Sequence, residues 1–191
     1  MPMDPPPDLA TLSLSDVARL VKERRLPPVE QWDPEHCGDS EMRIAADGTW
    51  YHQGSPIGRT EMVRLFSTIL RREEDGSHVL VTPVEKLSIE VEDAPFVAVE
   101  LNSEGRGSER RLAFRLNTGD LIVCDTDHRL EIRGTPDEPR PYLHVRGGMD
   151  ALVSRPLFYE LAHMAMHEQE AAEGPIGLWS YGIFFPLEPR R

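Results

Sequence analysis

Apolar positions along the chain recur at two spacings, which predict three helices and a larger number of short strands. Helical spacing is clear at residues 12–25 and 60–72, and a third helix is predicted at residues 154–170. Elsewhere, apolar and polar residues alternate over short runs that end at Gly, Pro, Asp or Asn, which is typical of strands. The predicted strands cover residues 41–46, 49–53, 78–82, 87–91, 96–101, 112–116, 121–125, 130–133 and 142–145, with a last extended segment at 178–187.

The segment RIAADGTWYHQGSPIGR, at residues 43–59, has the strongest local signal. Asp47-Gly48 separates two predicted strands and favours a type I′ hairpin turn, because both central residues of that turn need positive φ. Residues 54–58 are predicted to form a tight loop, and Thr60 is predicted to cap the helix that follows. We expect the rest of the chain to pack on this unit or to face it.

Together these elements predict an α+β protein with two small domains, each an antiparallel sheet with a helix. Both halves contain a hairpin, further strands and a helix, so a diverged internal duplication is a second prediction. The expected boundaries are a disordered tail at residues 1–12, an N-terminal domain at 13–95 and a C-terminal domain at 96–191. Residues 150–153 are interpreted as a short turn before the last helix.

Composition argues against several classes of protein. The net charge of −12 argues against nucleic acid and against anionic membrane surfaces as partners, since both attract cationic proteins. No apolar run approaches the roughly 20 residues of a membrane span. The first residues, MPMDPPPDLA, lack the basic and apolar regions of a signal peptide. We therefore expect a cytoplasmic protein in which Cys37 and Cys124 are reduced thiols.

Several motifs resemble a known bacterial family. DGTWYHQGSPIGR, RLFSTILRRE, LVTPVEK, VEDAPFVAV, YLHVRGG and GLWSYGIFF occur in the order found in domain-of-unknown-function family 1285 and cover roughly residues 30–187. The resemblance implies a two-domain α+β core built by duplication, with a C-terminal half superficially like a pleckstrin-homology barrel. It also implies a binding site between the domains and a role in signalling. No enzymatic activity is established in the family, so the resemblance informs the fold more than the function.

Arg59 is the first candidate binding residue, because it directly precedes the predicted cap Thr60. Free N–H groups at a helix start, together with a forked guanidinium, suit a carboxylate or a phosphate. The alternative is an ion pair with an acidic residue of the same chain, such as Glu61 or Glu85, since the chain contains 33 acidic residues.

Tyr51 and His52 are candidates on the second strand of the predicted hairpin. Tyr51 points opposite to Trp50 and His52, because side chains alternate along a strand. Trp50 is expected in the core, and the residues that face away from the core are expected to line a pocket. An exposed tyrosine without a binding role is the alternative.

Residues from later in the chain complete the predicted site. Glu85 and Lys86 adjoin a predicted strand. When such a pair is desolvated, it can contact a ligand or transfer protons. The alternative, which is commoner, is a solvated charge pair at the edge of a strand. Arg146 precedes two glycines whose backbone can approach another surface closely. Trp179 lies in the last extended segment. If the two halves face each other, Arg146, Trp179 and the Arg59 loop meet across a cleft.

Two further clusters have the spacing of metal ligands, and each has a simpler interpretation. His163 and His167 stand four residues apart on the last predicted helix, as in zinc helices, but the Glu of the H-E-x-x-H motif is absent. The run DTDH at residues 125–128 groups several oxygen ligands, but turns rich in Asp are common. A solvated helix face and a simple turn are the alternatives.

The leading hypothesis is a non-enzymatic module that binds a small anionic molecule or a peptide between two α+β halves, without a cofactor or a metal. Arg59 and Arg146 would recognise charge, with Lys86 in support, and the aromatic candidates would stack on the ligand. The second hypothesis is a hydrolase that uses Glu85 and Lys86, or a metal bound by the two histidines. The third is an interaction protein that forms a homodimer through its last aromatic strand.

Overall fold

The computed structural model of the chain describes residues 12–169 and 174–189. Residues 1–11, which contain nearly all of the predicted disordered tail, lie outside the described residues. The three predicted helices are confirmed, and the described residues also contain two short 3-10 helices, at Val29–Gln31 and Gly107–Glu109. The α-helices of the described residues are α1 (Leu14–Glu23), α2 (Thr60–Thr68) and α3 (Arg155–Gln169).

The first sheet joins two groups of three strands. Its strands are β1 (His36–Ile44), β2 (Trp50–His52), β3 (Ser55–Pro56), β4 (Leu70–Arg72), β5 (His78–Val81) and β6 (Glu85–Val91). Across the sheet they lie in the order β3-β2-β1-β6-β5-β4. Neighbours within each group are antiparallel, and the two groups meet where β1 and β6 run parallel.

The second sheet repeats this arrangement strand for strand. Its strands are β7 (Phe96–Glu104), β8 (Arg111–Leu116), β9 (Leu121–Val123), β10 (Leu130–Gly134), β11 (Pro139–Arg146) and β12 (Met149–Val153). Their order is β9-β8-β7-β12-β11-β10, with β7 and β12 parallel and the other neighbours antiparallel. The prediction of two sheet-rich halves is confirmed, and the shared strand order is the arrangement that a duplication produces.

The central strands refine the prediction of antiparallel sheets. Each sheet contains one parallel pair, because the first and last strands of each half lie side by side. The second sheet is a half-barrel, while a closer likeness to the pleckstrin-homology barrel stays a prediction. The predicted last extended segment is a separate antiparallel hairpin of β13 (Gly177–Ser180) and β14 (Ile183–Pro186).

The hairpin between β1 and β2 has a longer turn than the predicted type I′ turn. Of its two central residues, Asp47 and Gly48, only Gly48 has a positive φ, at 87°. The N–H of Gly48 donates to the carbonyl of Ala45 at 2.9 Å, and the N–H of Ala45 donates to the carbonyl of Thr49 at 2.9 Å. This geometry fits a type I turn followed by a left-handed glycine, which is a common form of the longer hairpin loop.

The tip of this hairpin packs against the second half of the chain. The side-chain amide of Asn117 donates from Nδ2 to the carbonyl of Gly48 at 3.0 Å, and its Oδ1 accepts from the N–H of Val97 at 3.0 Å. A Cβ at Gly48 would stand 2.7 Å from Nδ2 of Asn117, so the contact requires glycine. At this point the second half does pack on the predicted hairpin unit.

Two predicted boundaries are wrong, and in both cases pairing with other strands decides the structure. The second helix ends at Thr68, because Leu70 pairs with Leu80 and the residues that continue the helical pattern form β4. Residues 150–153, interpreted as a turn, belong to β12, which lies between β7 and β11 in the second sheet. Neither pairing is visible in the local pattern.

The two sheets share one hydrophobic core. Trp50 of the first sheet, Phe96 and Leu143 of the second, and Phe185 of the last hairpin belong to the same cluster, and each is at most 1% exposed. Burial of a side chain of this size stabilises the fold by about 1.5–3 kcal/mol. The two halves therefore stabilise each other.

Helix α1 packs on the second sheet, although the predicted boundaries place it in the N-terminal domain. Ser13 accepts a hydrogen bond at Oγ from the N–H of Asp16 at 3.2 Å and caps the helix. Leu14 and Val17 pack against Ala113 of β8 in a small separate cluster. The helix thereby brings the residues at its end next to the strands of the second half.

Two predictions from composition concern the thiols and membrane helices. Cys37 is exposed, Cys124 is buried, and both are free thiols, as predicted. Burial raises the pKa of the Cys124 thiol to about 12, which keeps it protonated at neutral pH. Among the described residues, every helix is too short or too polar to cross a bilayer.

Candidate functional site

A cavity of about 600 Å³ lies between the end of α1, helix α2 and the second sheet. Residues of α1 and the segment after it form one wall, and strands β8, β9 and β11 with their connections form another. The volume lies within the usual range for small-molecule sites. Much of the lining is aliphatic, from Leu12, Leu20, Val21, Leu26, Leu121, Ile122 and Val145.

Three arginines from three elements line this cavity together with one buried carboxylate. Arg24 follows α1, Arg64 belongs to α2, and Arg146 ends β11. The side chain of Asp120, which is 4% exposed, forms an ion pair with Arg24, and its Oδ2 lies 3.9 Å from NH1 of Arg146. Oγ1 of Thr118 donates a hydrogen bond to the same Oδ2 at 2.8 Å. Arg24, Arg64, Arg146 and Asp120 together form what we term the arginine cluster.

The arginines of the cluster repel one another. Burial, followed by the positive charges of Arg146 and Arg64, lowers the pKa of Arg24 to about 10. Burial also lowers the pKa of Arg146. Arginine remains cationic at neutral pH even so. The cluster therefore holds three positive charges against one negative charge, in a place where solvent screens them less than at the surface.

Arg146 ties the two halves together as well as facing the cavity. Its NH2 donates to the carbonyl of Ser67, near the end of α2, at 2.7 Å. Its guanidinium carbon lies 5.1 Å from the centroid of the Phe96 ring, within the range of a cation–π contact. These contacts hold the side chain in one position, so it is preorganised for an anion.

Arg64 has the most available donors in the cluster. None of the side-chain hydrogen bonds and ion pairs found among residues 12–169 and 174–189 involves its guanidinium. The group packs over Gly119, where a Cβ would stand 3.3 Å from Nε and 3.4 Å from Cζ of Arg64. Gly119 has a φ of 89°, which other residues adopt with strain. The glycine thus leaves room for Arg64 to reach the cavity.

Other charged groups of the wall already have partners or face solvent. Nε of Arg115 donates to Oε2 of Glu100 at 3.1 Å. Nδ1 of His128 lies 3.1 Å from Oδ1 of Asp125. Glu23 lies at the exposed rim, where water and salt screen its carboxylate. These groups therefore change the charge balance of the arginine cluster little.

Of the residues that the sequence predicts for a site, Arg146 lines the cavity and Arg59 does not. Arg59 holds the N-cap position of α2 without a side-chain capping bond, so the prediction that Thr60 caps this helix is wrong. The side chain of Arg59 is exposed. Arg64 is a helical residue of α2 and lines the cavity, whereas the backbone of Arg59 is extended. The two arginines therefore have different surroundings.

The candidates of β2 also lie outside the cavity. Tyr51 is half-buried, and the guanidinium carbon of Arg43 lies 4.4 Å from its ring centroid. His52 is exposed. Trp50 is 1% exposed and belongs to the core, as its position in the alternating pattern predicts.

Glu85, Lys86 and Trp179 lie apart from the cavity too. Glu85 and Lys86 are half-buried at the start of β6, beside the first residues of β1. The ring of Trp179 packs edge-on against Phe184, with the ring centroids 5.4 Å apart. The predicted meeting of the Arg59 loop with the other candidates therefore does not occur in this cavity.

Sequence reasoning misses Arg24, Arg64 and Asp120. Arg24 belongs to a basic run that suits the end of any helix, and Arg64 lies on the polar side of an amphipathic helix. Asp120 follows Gly119 in a turn between strands, which is too common a pattern to mark a site. Only the approach of three distant elements makes these residues a cluster.

The two clusters with the spacing of metal ligands lie on a helix face and in a loop. The rings of His163 and His167 lie with centroids 4.5 Å apart on the exposed face of α3. Oδ1 of Asp125 accepts hydrogen bonds from the N–H groups of Asp127 and His128, both at 2.9 Å, which is the turn alternative. Across the part of the chain that the structure describes, no group of three or more His, Cys, Asp or Glu side chains is arranged to hold a metal ion.

Family models and solved structures identify the relatives of this chain. A model described as "Domain of unknown function (DUF1285), N-terminal domain" matches residues 27–94, and one described as "Protein of unknown function (DUF1285), C-terminal domain" matches residues 95–187. A crystal structure of a DUF1285 family protein from Silicibacter pomeroyi DSS-3 is 46% identical, with a TM-score of 0.78, and the match covers 93% of this chain and 95% of that chain. The chain belongs to the DUF1285 family.

A second DUF1285 family protein, from Shewanella baltica OS155, is 27% identical with a TM-score of 0.51. The match covers 64% of this chain and 91% of that chain. None of the curated proteins shows significant similarity to this DUF1285 chain. The cavity takes Arg64 from the N-terminal family domain and Asp120 and Arg146 from the C-terminal one, whereas Arg24 precedes both matched regions.

Proposed function

We propose that this DUF1285 protein is a cytoplasmic binding module that holds a small anionic ligand with an apolar portion between its two halves. The observation that carries the proposal is the arginine cluster, where three guanidiniums and one buried carboxylate line the same cavity beside an aliphatic wall. A module of this kind fits the signalling role that the family resemblance implies.

Guanidiniums suit anion binding through both charge and geometry. Each carries five N–H donors in a fixed plane and matches a carboxylate or a phosphate with two parallel hydrogen bonds. The three guanidiniums of the cluster repel one another, and a bound anion reduces that repulsion. Because the surroundings are partly buried, each contact is stronger than it would be in water.

The charge of the whole molecule and the size of the cavity limit the ligand. A net charge of −12 repels long polyanions at a distance, whereas a small anion inside the cavity meets mainly the field of the cluster. A cavity of about 600 Å³ accommodates a small molecule more readily than a folded or extended peptide. We therefore propose a small molecule over a peptide.

The chemistry of the cavity favours binding over catalysis. A guanidinium stays protonated at neutral pH, so it stabilises an anion without exchanging a proton. Glu85 and Lys86, which the hydrolase hypothesis uses, lie outside the cavity. The same hypothesis uses His163 and His167, and these lie on the exposed face of α3.

Isothermal titration calorimetry with octyl ligands tests the proposal. Octanoate, octyl sulfate and octyl phosphate carry an anion on one apolar chain, and 1-octanol carries the same chain without charge. We expect at least one of the anions to bind in low salt and 1-octanol to bind much more weakly. Arg64→Gln is expected to weaken binding of the anion by about tenfold to a hundredfold, since a charged hydrogen bond contributes about 1.5–3 kcal/mol.

Arg25→Gln is the matched control, because Arg25 is exposed, adjoins Arg24 and is absent from the cavity lining. It changes the net charge by the same amount and is expected to keep wild-type affinity. Thermal denaturation of both variants checks that they fold. Equal binding of 1-octanol and the anions, or wild-type affinity in folded Arg64→Gln, would contradict the proposal.

A further inference from the structure

We infer that the preferred ligand of the cavity is a phosphate monoester, a dianion with a tetrahedral head, that carries an apolar body. The inference rests on the proposed function and specifies the chemical class of the ligand for the same cavity. Three observations support it: the charge balance of the arginine cluster, the directions from which its guanidiniums approach, and the position of the aliphatic wall.

The charge balance of the cluster matches a dianion. Arg24, Arg64 and Arg146 carry three positive charges, and Asp120 carries one negative charge, so two positive charges have no counterpart within the cluster. A dianion balances both of them, whereas a carboxylate or a sulfate ester balances one. Residual like charge in a partly buried place is unfavourable, which gives the dianion the advantage.

The other charged groups of the cavity lining do not remove the excess of two positive charges in the arginine cluster. Arg115 pairs with Glu100, and His128 pairs with Asp125. Glu23, the remaining carboxylate of the lining, is exposed to solvent at the rim. Its effect at the cluster is reduced by water and by dissolved ions, so it does not replace the ligand charge.

The directions of approach favour a tetrahedral head over a planar one. The guanidiniums come from the end of α1, from α2 and from the end of β11. A single forked guanidinium already matches both oxygens of a planar carboxylate. A phosphate ester presents three strong acceptor oxygens that point in different directions, so it accepts from several guanidiniums at once. Arg64, whose guanidinium has unused donors, and NH1 of Arg146, which lies 3.9 Å from Oδ2 of Asp120, are the candidates for these bonds.

The aliphatic wall provides the place for the apolar body. Leu20 and Val21 of α1 line the same cavity as Leu121 and Ile122 of β9. Burial of each methylene group of a ligand in such a place contributes to binding by removing apolar area from water. The ligand is therefore expected to bind through both ends, and inorganic phosphate is expected to bind more weakly than a phosphate with an alkyl chain.

Competition between octyl phosphate and octyl sulfate tests the inference, because the two heads have the same shape and different charge. We expect octyl phosphate to bind at least about tenfold more tightly than octyl sulfate at pH 8. The ratio of the two affinities should fall toward one at pH 5, because the second ionisation of a phosphate monoester has a pKa near 6. Both ligands meet the same protein at each pH, so a change in the protein that affects the two ligands equally cancels in the ratio.

Two variants test whether the preference for octyl phosphate over octyl sulfate depends on the arginine cluster. Arg64→Gln should lower the ratio at pH 8 toward one, since only one uncompensated positive charge remains in the cluster. Arg25→Gln, with the same change in net charge at an exposed position, should keep the wild-type ratio. A ratio in Arg64→Gln that equals the wild-type ratio would contradict the assignment of the dianion to this cluster.

The outcomes separate this inference from the proposed function. If octyl phosphate and octyl sulfate bind equally at pH 8, or if octanoate binds more tightly than octyl phosphate, the inference is overturned. The proposed function as an anion-binding cavity then still stands. Equal affinities for inorganic phosphate and octyl phosphate would show that the apolar body does not contribute to binding, and would overturn that part of the inference. No binding by any of the three octyl anions overturns both the inference and the proposed function.

Discussion

The hairpin stretch at residues 43–59 and the arginine cluster differ in how their residues are distributed along the chain. The hairpin stretch concentrates aromatic, basic and glycine residues in one continuous segment. The arginine cluster gathers residues from four separate positions: directly after α1, on α2, in the β8–β9 turn and at the end of β11. By local composition, the first region is the more conspicuous, and only Arg146 of the second region is indicated by the sequence.

The described side chains of the hairpin stretch mostly serve the fold. Trp50 lies in the core, and Gly48 docks on Asn117 of the second half. Arg43 pairs with Glu92 and lies over Tyr51. A dense run of aromatic and glycine residues therefore marks a packing unit in this protein, while the charged cavity is a product of tertiary convergence.

The largest expected effect tests the structural role of the hairpin stretch. Trp50→Ala should lower the free energy of unfolding by about 3–5 kcal/mol, because it leaves a large cavity in the shared core. Tyr51→Ala, at the half-buried neighbouring position, should cost about 1 kcal/mol. Urea denaturation measures both. A greater loss for Tyr51→Ala than for Trp50→Ala would reverse the assignment of the two strand faces.

The next effect concerns the carboxylate of the arginine cluster. Asp120→Asn should lower the free energy of unfolding by about 3 kcal/mol, because it leaves half-buried guanidiniums without the buried carboxylate that balances them. Added octyl phosphate should restore part of the lost stability by supplying negative charge to the same place. Asp127→Asn, at an exposed position, is the control and should change stability little. Stability of Asp120→Asn equal to wild type would show that the cluster is not electrostatically strained.

The two regions are compared most directly through Arg59, the N-cap residue of α2, and Arg64 within the helix. Arg64→Ala should weaken binding of the octyl anion by about 1.5–3 kcal/mol, whereas Arg59→Ala should change it by less than about 0.5 kcal/mol. The hypothesis drawn from the hairpin stretch predicts the reverse. Calorimetric titration of both variants decides between the two regions, and a larger loss in Arg59→Ala would move the site to the hairpin loop.

The smallest expected effect compares a glycine from each region. Gly119 and Gly54 both have positive φ, at 89° and 77°, so alanine at either position should cost about 1 kcal/mol of stability. A Cβ at Gly119 meets Arg64, whereas a Cβ at Gly54 meets no atom within 4 Å. Only Gly119→Ala should therefore weaken anion binding. Equal binding by the two variants would show that Arg64 does not depend on the space above Gly119.

Most of the fold was accessible from local pattern, and most of the candidate site was not. The hairpin of β1 and β2 and the three helices follow from turn residues and apolar spacing, which act over a few residues. Arg146 was also accessible, since it ends a strand and precedes two glycines. Arg24, Arg64 and Asp120 were not, because each has an ordinary local role and acquires its surroundings only from distant elements.

What the sequence by itself determined is the set of local elements, the burial of Trp50, the free thiols and the membership of a two-domain family. What only the tertiary structure decided is how those elements meet. Residues 150–153 became a strand because β7 and β11 lie on either side, and α1 joined the second sheet because Leu14 and Val17 find a partner in Ala113. The arginine cluster arose in the same way. Its energy depends on distances between residues far apart in the chain, and local spacing contains no information about those distances.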